Sequence, residues 1–158
     1  MIYIAIFAVI FAADMWTKFL AAERLLSIGT LPLWEGVFHL TYVENRGAAF
    51  GMLQNGRIFF IVATVVVLML AAIVLRKFYQ ESKLFKLALA FFTAGAVGNL
   101  VDRIFRGYVV DFFDFRLINF PVFNVADIFV CIGAILIAIF ILFFEDASCK
   151  KESEENEA

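Results

Sequence analysis

Several things are scarce in this chain of 158 residues, and each scarcity removes a class of function. There are two cysteines, Cys131 and Cys149, in neither a metal-type nor a CxxC spacing. That argues against a disulfide framework or a zinc site, and Cys131, inside an apolar run, reads as a packing residue. The single histidine, His39, has no second His or Cys beside it and cannot found a metal centre alone. The net charge is only -2, and no basic cluster is interleaved with aromatics, so no nucleic-acid partner is expected. No Lys or Arg precedes Lys18. A cleaved secretory signal would open with a basic segment, so the first apolar run reads as an uncleaved helix. No internal repeat is evident.

What is abundant is apolar side chain. The composition is 64% hydrophobic, with 21 Phe, where an ordinary soluble domain is roughly 45–50% apolar. Lipid is therefore the expected solvent over much of the surface. A span needs ~20 apolar residues, and four segments qualify, at about 1–22, 58–76, 84–103 and 126–144. These define one membrane domain, residues 1–145, with loops 23–57 and 104–125 on one side. Residues 146–158 are polar and acidic and read as a disordered tail. In loop 23–57, the β-branched and aromatic stretch Val37 to Val43 reads as a strand, with Ala48-Ala49-Phe50 as its partner. A strand pair with open edges cannot lie in lipid, so it belongs at the membrane surface. The expected class is an all-α integral membrane protein of four transmembrane helices with a small β-cradle in the first loop.

Four spans place both termini on one side. Lys and Arg balance between the two sides, so charge counting does not orient the chain. Lysine does separate: beyond Lys18 the loop side carries only arginine, the better residue for fixed carboxylate contacts. On that reading the terminal side is cytoplasmic.

The loop side also collects Asp14, Asn45, Asn99, Asp102, Arg103, Asp111, Asp114, Asn124 and Asp127. Asp14 and Lys18 are i and i+4, able to pair near the span end, with Lys18 snorkelling to the surface. Asn99, Asp102 and Arg103 share a helix face and could form a plain helix-end ion pair. Asn124 and Asp127 form a capping-box-like pattern at the start of the fourth helix. Capping does not require so many carboxylates and carboxamides in one layer. Two carboxylates can hydrolyse a peptide without metal, one taking a proton from water while the other, protonated, polarises the carbonyl. The helix dipole favours Asp127 as the anion, which leaves Asp111 as the more easily protonated partner. Spacing alone does not choose the pair: Asp111 with Asp114 and Asp102 with Asp127 stay open. A transporter or proton relay would thread ionisable groups through the bilayer, and the middles of spans two to four carry none.

Five ordered motifs resemble those of the lipoprotein signal peptidases (signal peptidase II), bacterial inner-membrane aspartic proteases. They are Asp14-Met15-Trp16-Thr17-Lys18, Asn45-Arg46-Gly47-Ala48-Ala49-Phe50, Gly98-Asn99-Leu100-Val101-Asp102-Arg103, Val109-Val110-Asp111-Phe112 and Phe123-Asn124-Val125-Ala126-Asp127. The resemblance implies a catalytic dyad of Asp111 and Asp127. It implies supporting or substrate-binding roles for Asp14, Lys18, Asn45, Gly47, Asn99, Asp102, Arg103 and Asn124. It also implies no cofactor and a diacylglyceryl-modified prolipoprotein substrate, cleaved before the lipidated lipobox cysteine. Globomycin-type inhibition, contact with membrane lipid, a monomer, cytoplasmic termini and a site near the extracytoplasmic face complete the expectation.

Overall fold

The computed structural model describes residues 1–47, 53, 55–78 and 83–156. Four helices carry the fold: α1 (Ile2–Leu25), α2 (Arg57–Phe78), α3 (Lys83–Phe105) and α4 (Val125–Asn156). Each contains a stretch long and apolar enough to cross a membrane: Ile2–Leu25, Arg57–Arg76, Lys83–Phe105 and Val125–Phe143. With the small sheet described below, this is the expected all-α membrane protein.

α3 is the central helix, packed against each of the other three. Its buried face is made largely of small residues, among them Ala88, Ala94, Gly95 and Gly98, which let backbones approach closely where lipid supplies no hydrophobic drive. Gly95 lies against the Ala126 carbonyl and Val130, and on α4 Gly133 lies against the backbone of Phe92. α1 buries a single stripe, Ile10, Asp14, Lys18, Ala21 and Leu25, a helical period whose middle is charged. α2 packs chiefly on α3; at one end its Arg57 guanidinium donates to the carbonyl oxygens of Arg103 and Ile104, both at 2.8 Å. Those carbonyls belong to the last turn of α3 and have no partner within the helix.

Where α1 ends, α2 begins, α3 ends and α4 begins, three antiparallel strands form a sheet in the order β1-β2-β3. They are β1 (Thr30–Trp34), β2 (Phe38–Asn45) and β3 (Val109–Phe115). The strand expected at residues 37–43 is present as β2, but its neighbours are β1 and β3. The suggested partner Ala48–Phe50 lies outside the described residues. β3 arises in what reads as a polar loop, because its alternation brings Val110 and Phe112 onto Ala21 and Leu25 of α1. The backbone of 146–156 continues α4; the segment is rich in helix-forming Glu and Lys and has no Gly or Pro. One further expectation changes. Cys131 is exposed rather than packed, one residue round the helix from Val130, which meets Gly95.

Candidate active site

Two polar clusters share this end of the bundle. The deeper one is built on Lys18, which is fully buried and does not snorkel. Its ammonium meets the Asp14 carboxylate at 2.8 Å and that of Asp102 at 3.2 Å, and donates to Asn99 Oδ1 at 2.8 Å. An ammonium has three donors, and here each has a partner. Asp14 uses its other oxygen to accept the Ala126 N–H at 2.8 Å, so α1 caps the start of α4. Asp102 also receives Arg106 Nε at 3.2 Å and the Val110 N–H at 3.3 Å. Two carboxylates and two cations thus balance in a dry setting, where an unpaired charge would be strongly unfavourable. The helix-end pair Asp102–Arg103 is not what forms. Asp102 turns inward to Lys18 and Arg106, while Arg103 donates to the carbonyls of Gly47 and Asn99, each at 3.4 Å, and lies over the Phe60 ring.

The second cluster rests on the first. Asn124 is the N-cap of α4: its Oδ1 accepts the Asp127 N–H at 3.0 Å, and Asp127 Oδ2 accepts the Asn124 N–H at 3.1 Å. This is the reciprocal capping box that the spacing suggests. The Asn124 amide nitrogen donates to Asp111 Oδ1 at 2.6 Å. Asp111 Oδ2 accepts from Asn45 Nδ2 at 2.9 Å, and Asp127 Oδ1 from Asn99 Nδ2 at 2.7 Å. All four oxygens of the two aspartates therefore accept an N–H.

The three amides cannot turn round, because each amide oxygen is pinned by a group that only donates. Lys18 holds Asn99 Oδ1, the Gly47 N–H holds Asn45 Oδ1 at 3.0 Å, and the Asp127 N–H holds Asn124 Oδ1. Each NH₂ is left facing a carboxylate. Asp111 is buried, whereas Asp127 is partly open. Burial pushes the Asp111 carboxyl up to about 7; the neighbouring Asp127 charge adds to the rise, and the amide bonds and Lys18 oppose it.

The alternative pairings separate in space. Asp114, three residues along β3, turns to the opposite face of the sheet. There it accepts from Thr41 Oγ1 at 2.6 Å and Arg116 Nε at 2.9 Å. Burial works against its ionisation, but these donors outweigh it and hold the carboxyl below the usual range. Asp102 is occupied by Lys18. Among the described residues, no group of three or more His, Cys, Asp or Glu side chains is arranged to hold a metal ion. His39 is buried, and its Nε2 accepts the Gly36 N–H at 3.1 Å.

Sequence reasoning missed Arg106, although its i+4 spacing from Asp102 was legible. It also missed Arg57, whose two carbonyl partners lie more than forty residues away and leave no local signal.

A four-helix membrane protein with a buried, charge-balanced polar layer beneath a small sheet is the class that fold and site define. The chain belongs to the signal peptidase II family: the pattern described as "Signal peptidase (SPase) II" matches residues 6–143. It is 51% identical over 141 residues to the lipoprotein signal peptidase of Caldanaerobacter subterraneus, covering 89% of this chain and 95% of that one. Against the lipoprotein signal peptidase of Clostridioides difficile it is 43% identical over 152 residues, covering 94% and 99%. A solved structure described as a bacterial membrane enzyme superposes with TM-score 0.82 at 33% identity, covering 95% of this chain and 92% of that one.

Proposed function

We propose that this chain is a membrane aspartic endopeptidase that removes the signal peptide from diacylglyceryl-modified prolipoproteins, cutting before the lipidated cysteine, with Asp111 and Asp127 as the catalytic dyad. The observation that carries this reading is the seat of Asn124: one side chain caps α4 at Asp127 and donates to Asp111. Family membership supplies the substrate class.

The geometry supports a division of labour. Asp127, at the start of α4 and accepting two N–H bonds, takes the role of base in this reading. Asp111, buried beside the Asp127 charge, is favoured as the acid. Asp127 takes a proton from water as the water oxygen bonds to the scissile carbonyl carbon. Asp111 gives its proton to the carbonyl oxygen, forming a gem-diol. As the C–N bond breaks, Asp127 passes its proton to the leaving nitrogen and a diol proton returns to Asp111. Amides fixed before substrate arrives need no reorganisation as charge moves. The reading needs no metal.

Asn45, Gly47 and Arg103 are placed in this reading to meet the extended substrate backbone. Asp14, Lys18, Asn99 and Asp102 hold the frame. Both termini, including the polar end of α4, lie in the cytoplasm and the sheet on the extracytoplasmic face, as a monomer in the inner membrane. The lipid-bearing substrate arrives by lateral diffusion at a fixed depth, which supplies much of the orientation that catalysis needs. A globomycin-type cyclic peptide would occupy the same dyad. The test is cleavage of a diacylated prolipoprotein by purified protein and by Asp111→Asn and Asp127→Asn. A folded variant of either kind that cleaves at the normal rate overturns the dyad.

A further inference from the structure

Of the charged side chains in the deeper cluster, Arg106 alone is not enclosed: it is 33% exposed, where Lys18, Asp14 and Asp102 are 2% exposed or less. Arg106 directly follows α3, and its N–H bonds to the Asp102 carbonyl at 2.8 Å. Gly107, at φ +84°, then turns the chain towards β3. A cation at a helix C-terminus has a plain use against the helix dipole. Here the side chain does more, because its Nε turns back to a buried carboxylate, Asp102 Oδ1, at 3.2 Å. Tyr42 of β2 also lies near the guanidinium, but burial pushes its phenol up and keeps it neutral. Among the described residues, Asp102 is the anion that Arg106 meets.

Asp102 ties together the seats of both proposed catalytic aspartates. Its Oδ2 meets Lys18 Nζ at 3.2 Å and the N–H of Val110, the residue before Asp111, at 3.3 Å. Lys18 in turn holds Asn99 Oδ1 at 2.8 Å, and Asn99 Nδ2 holds Asp127 Oδ1 at 2.7 Å. The ammonium lies closer to Asp14 than to Asp102, at 2.8 against 3.2 Å. Asp102 is the carboxylate that Lys18 serves less closely, and Arg106 completes its countercharge at the other oxygen. Without Arg106, two buried carboxylates share one ammonium, and a buried charge short of a partner is strongly unfavourable. Lys18 relieves this by moving towards Asp102. The bond it gives up is the one to neutral Asn99, because a charged acceptor holds an ammonium more strongly. Asn124 Nδ2 also reaches Asn99 Oδ1, at 3.3 Å, but is committed to Asp111 at 2.6 Å. Asn99 then loses the anchor that aims its NH₂ at Asp127.

We propose that Arg106 is a positioning residue for the reaction, holding Asp127 in place through Asp102, Lys18 and Asn99 without meeting the substrate. The inference rests on the reading of Asp127 as the base. It extends the catalytic frame to a half-buried side chain beyond the end of α3.

The test is steady-state cleavage of a diacylated prolipoprotein by the purified full chain, with Tm measured alongside. Arg106→Gln should leave KM unchanged, and should lower kcat by up to about a hundredfold, the cost of a misplacement of about 1 Å. Arg106→Lys keeps a cation at i+4 from Asp102 and should restore most of kcat. Arg24→Gln removes an exposed charge at the same end of the bundle and should change neither constant. If Arg106→Gln is too unstable to assay, Asp102→Asn carries the comparison. Adding Arg106→Gln to Asp102→Asn leaves Asp14 and Lys18 in balance, so kcat should fall no further. A further fall there overturns the inference. So does a folded Arg106→Gln with normal kcat, a rise in KM in place of the fall in kcat, or a loss that Arg106→Lys does not recover. The dyad itself fails by a different result, an Asp127→Asn that cleaves at the normal rate.

Discussion

Asn124 and Asp127 cap one another across the first turn of α4, at 3.0 and 3.1 Å, and the same Asn124 reaches Asp111 at 2.6 Å. A helix start and a two-aspartate site are thus one structure. Asn124→Ala removes an N-cap, which costs about 1 kcal/mol, and strips a donor from buried Asp111. A Tm lowered by several degrees together with a large fall in kcat is expected. A variant that loses stability yet keeps normal kcat would show that Asn124 serves the helix alone.

With Asp111 as the acid of the proposed dyad, its protonation gives the activity a pH signature. With its carboxyl pushed up to about 7, the acid form is lost above that pH, so cleavage should decline on an alkaline limb near 7. The stability effect has a definite sign. A raised carboxyl pKa leaves the fold unpenalised below the ordinary value near 4 and lowers its stability as pH rises towards 7, by at most about 4 kcal/mol. Melting curves of wild type and Asp111→Asn from pH 4 to 8 should therefore shift in favour of the variant as pH rises. Parallel curves would place the proton elsewhere.

Lys18 neutralises two buried carboxylates. Lys18→Met takes from Asp14 the cation it pairs with and leaves Asp102 to Arg106, and removing one partner from a buried ion pair costs roughly 3–5 kcal/mol. Neutralising the carboxylates in the same background, with Asp14→Asn and Asp102→Asn, should recover part of that loss. Denaturation of the single and triple variants decides it: a triple variant less stable than Lys18→Met would mean that packing, not charge, dominates there.

The closeness of α3 and α4 depends on glycine. A methyl on Gly95 would collide with the Ala126 carbonyl and Val130. Gly95→Ala is expected to cost about 1–3 kcal/mol as the helices part. Because Ala126 sits between Asn124 and Asp127, the same variant should lower kcat. An unchanged Tm would show that the interface has slack.

The membrane class follows from composition alone, because four apolar runs long enough to cross a bilayer have no other solvent in which to be stable. The strand at Val37–Val43 and the capping box at Asn124–Asp127 were equally legible, since both are written within a few residues. β1 and β3 were not. Their strand character comes from pairing with β2 and from Val110 and Phe112 meeting α1, contacts between residues distant in the chain. Spacing left three aspartate pairings open, and a motif resemblance was needed to single out Asp111 with Asp127. Tertiary structure separated those pairings physically. It turned Asp114 to the far side of the sheet, gave Asp102 to Lys18, and set the one amide that caps α4 against Asp111. Local sequence determines which residues can ionise and where helices begin. Which carboxylates meet is decided only when α1, α3 and α4 close around Lys18, since a buried charge takes whatever partner packing brings to it.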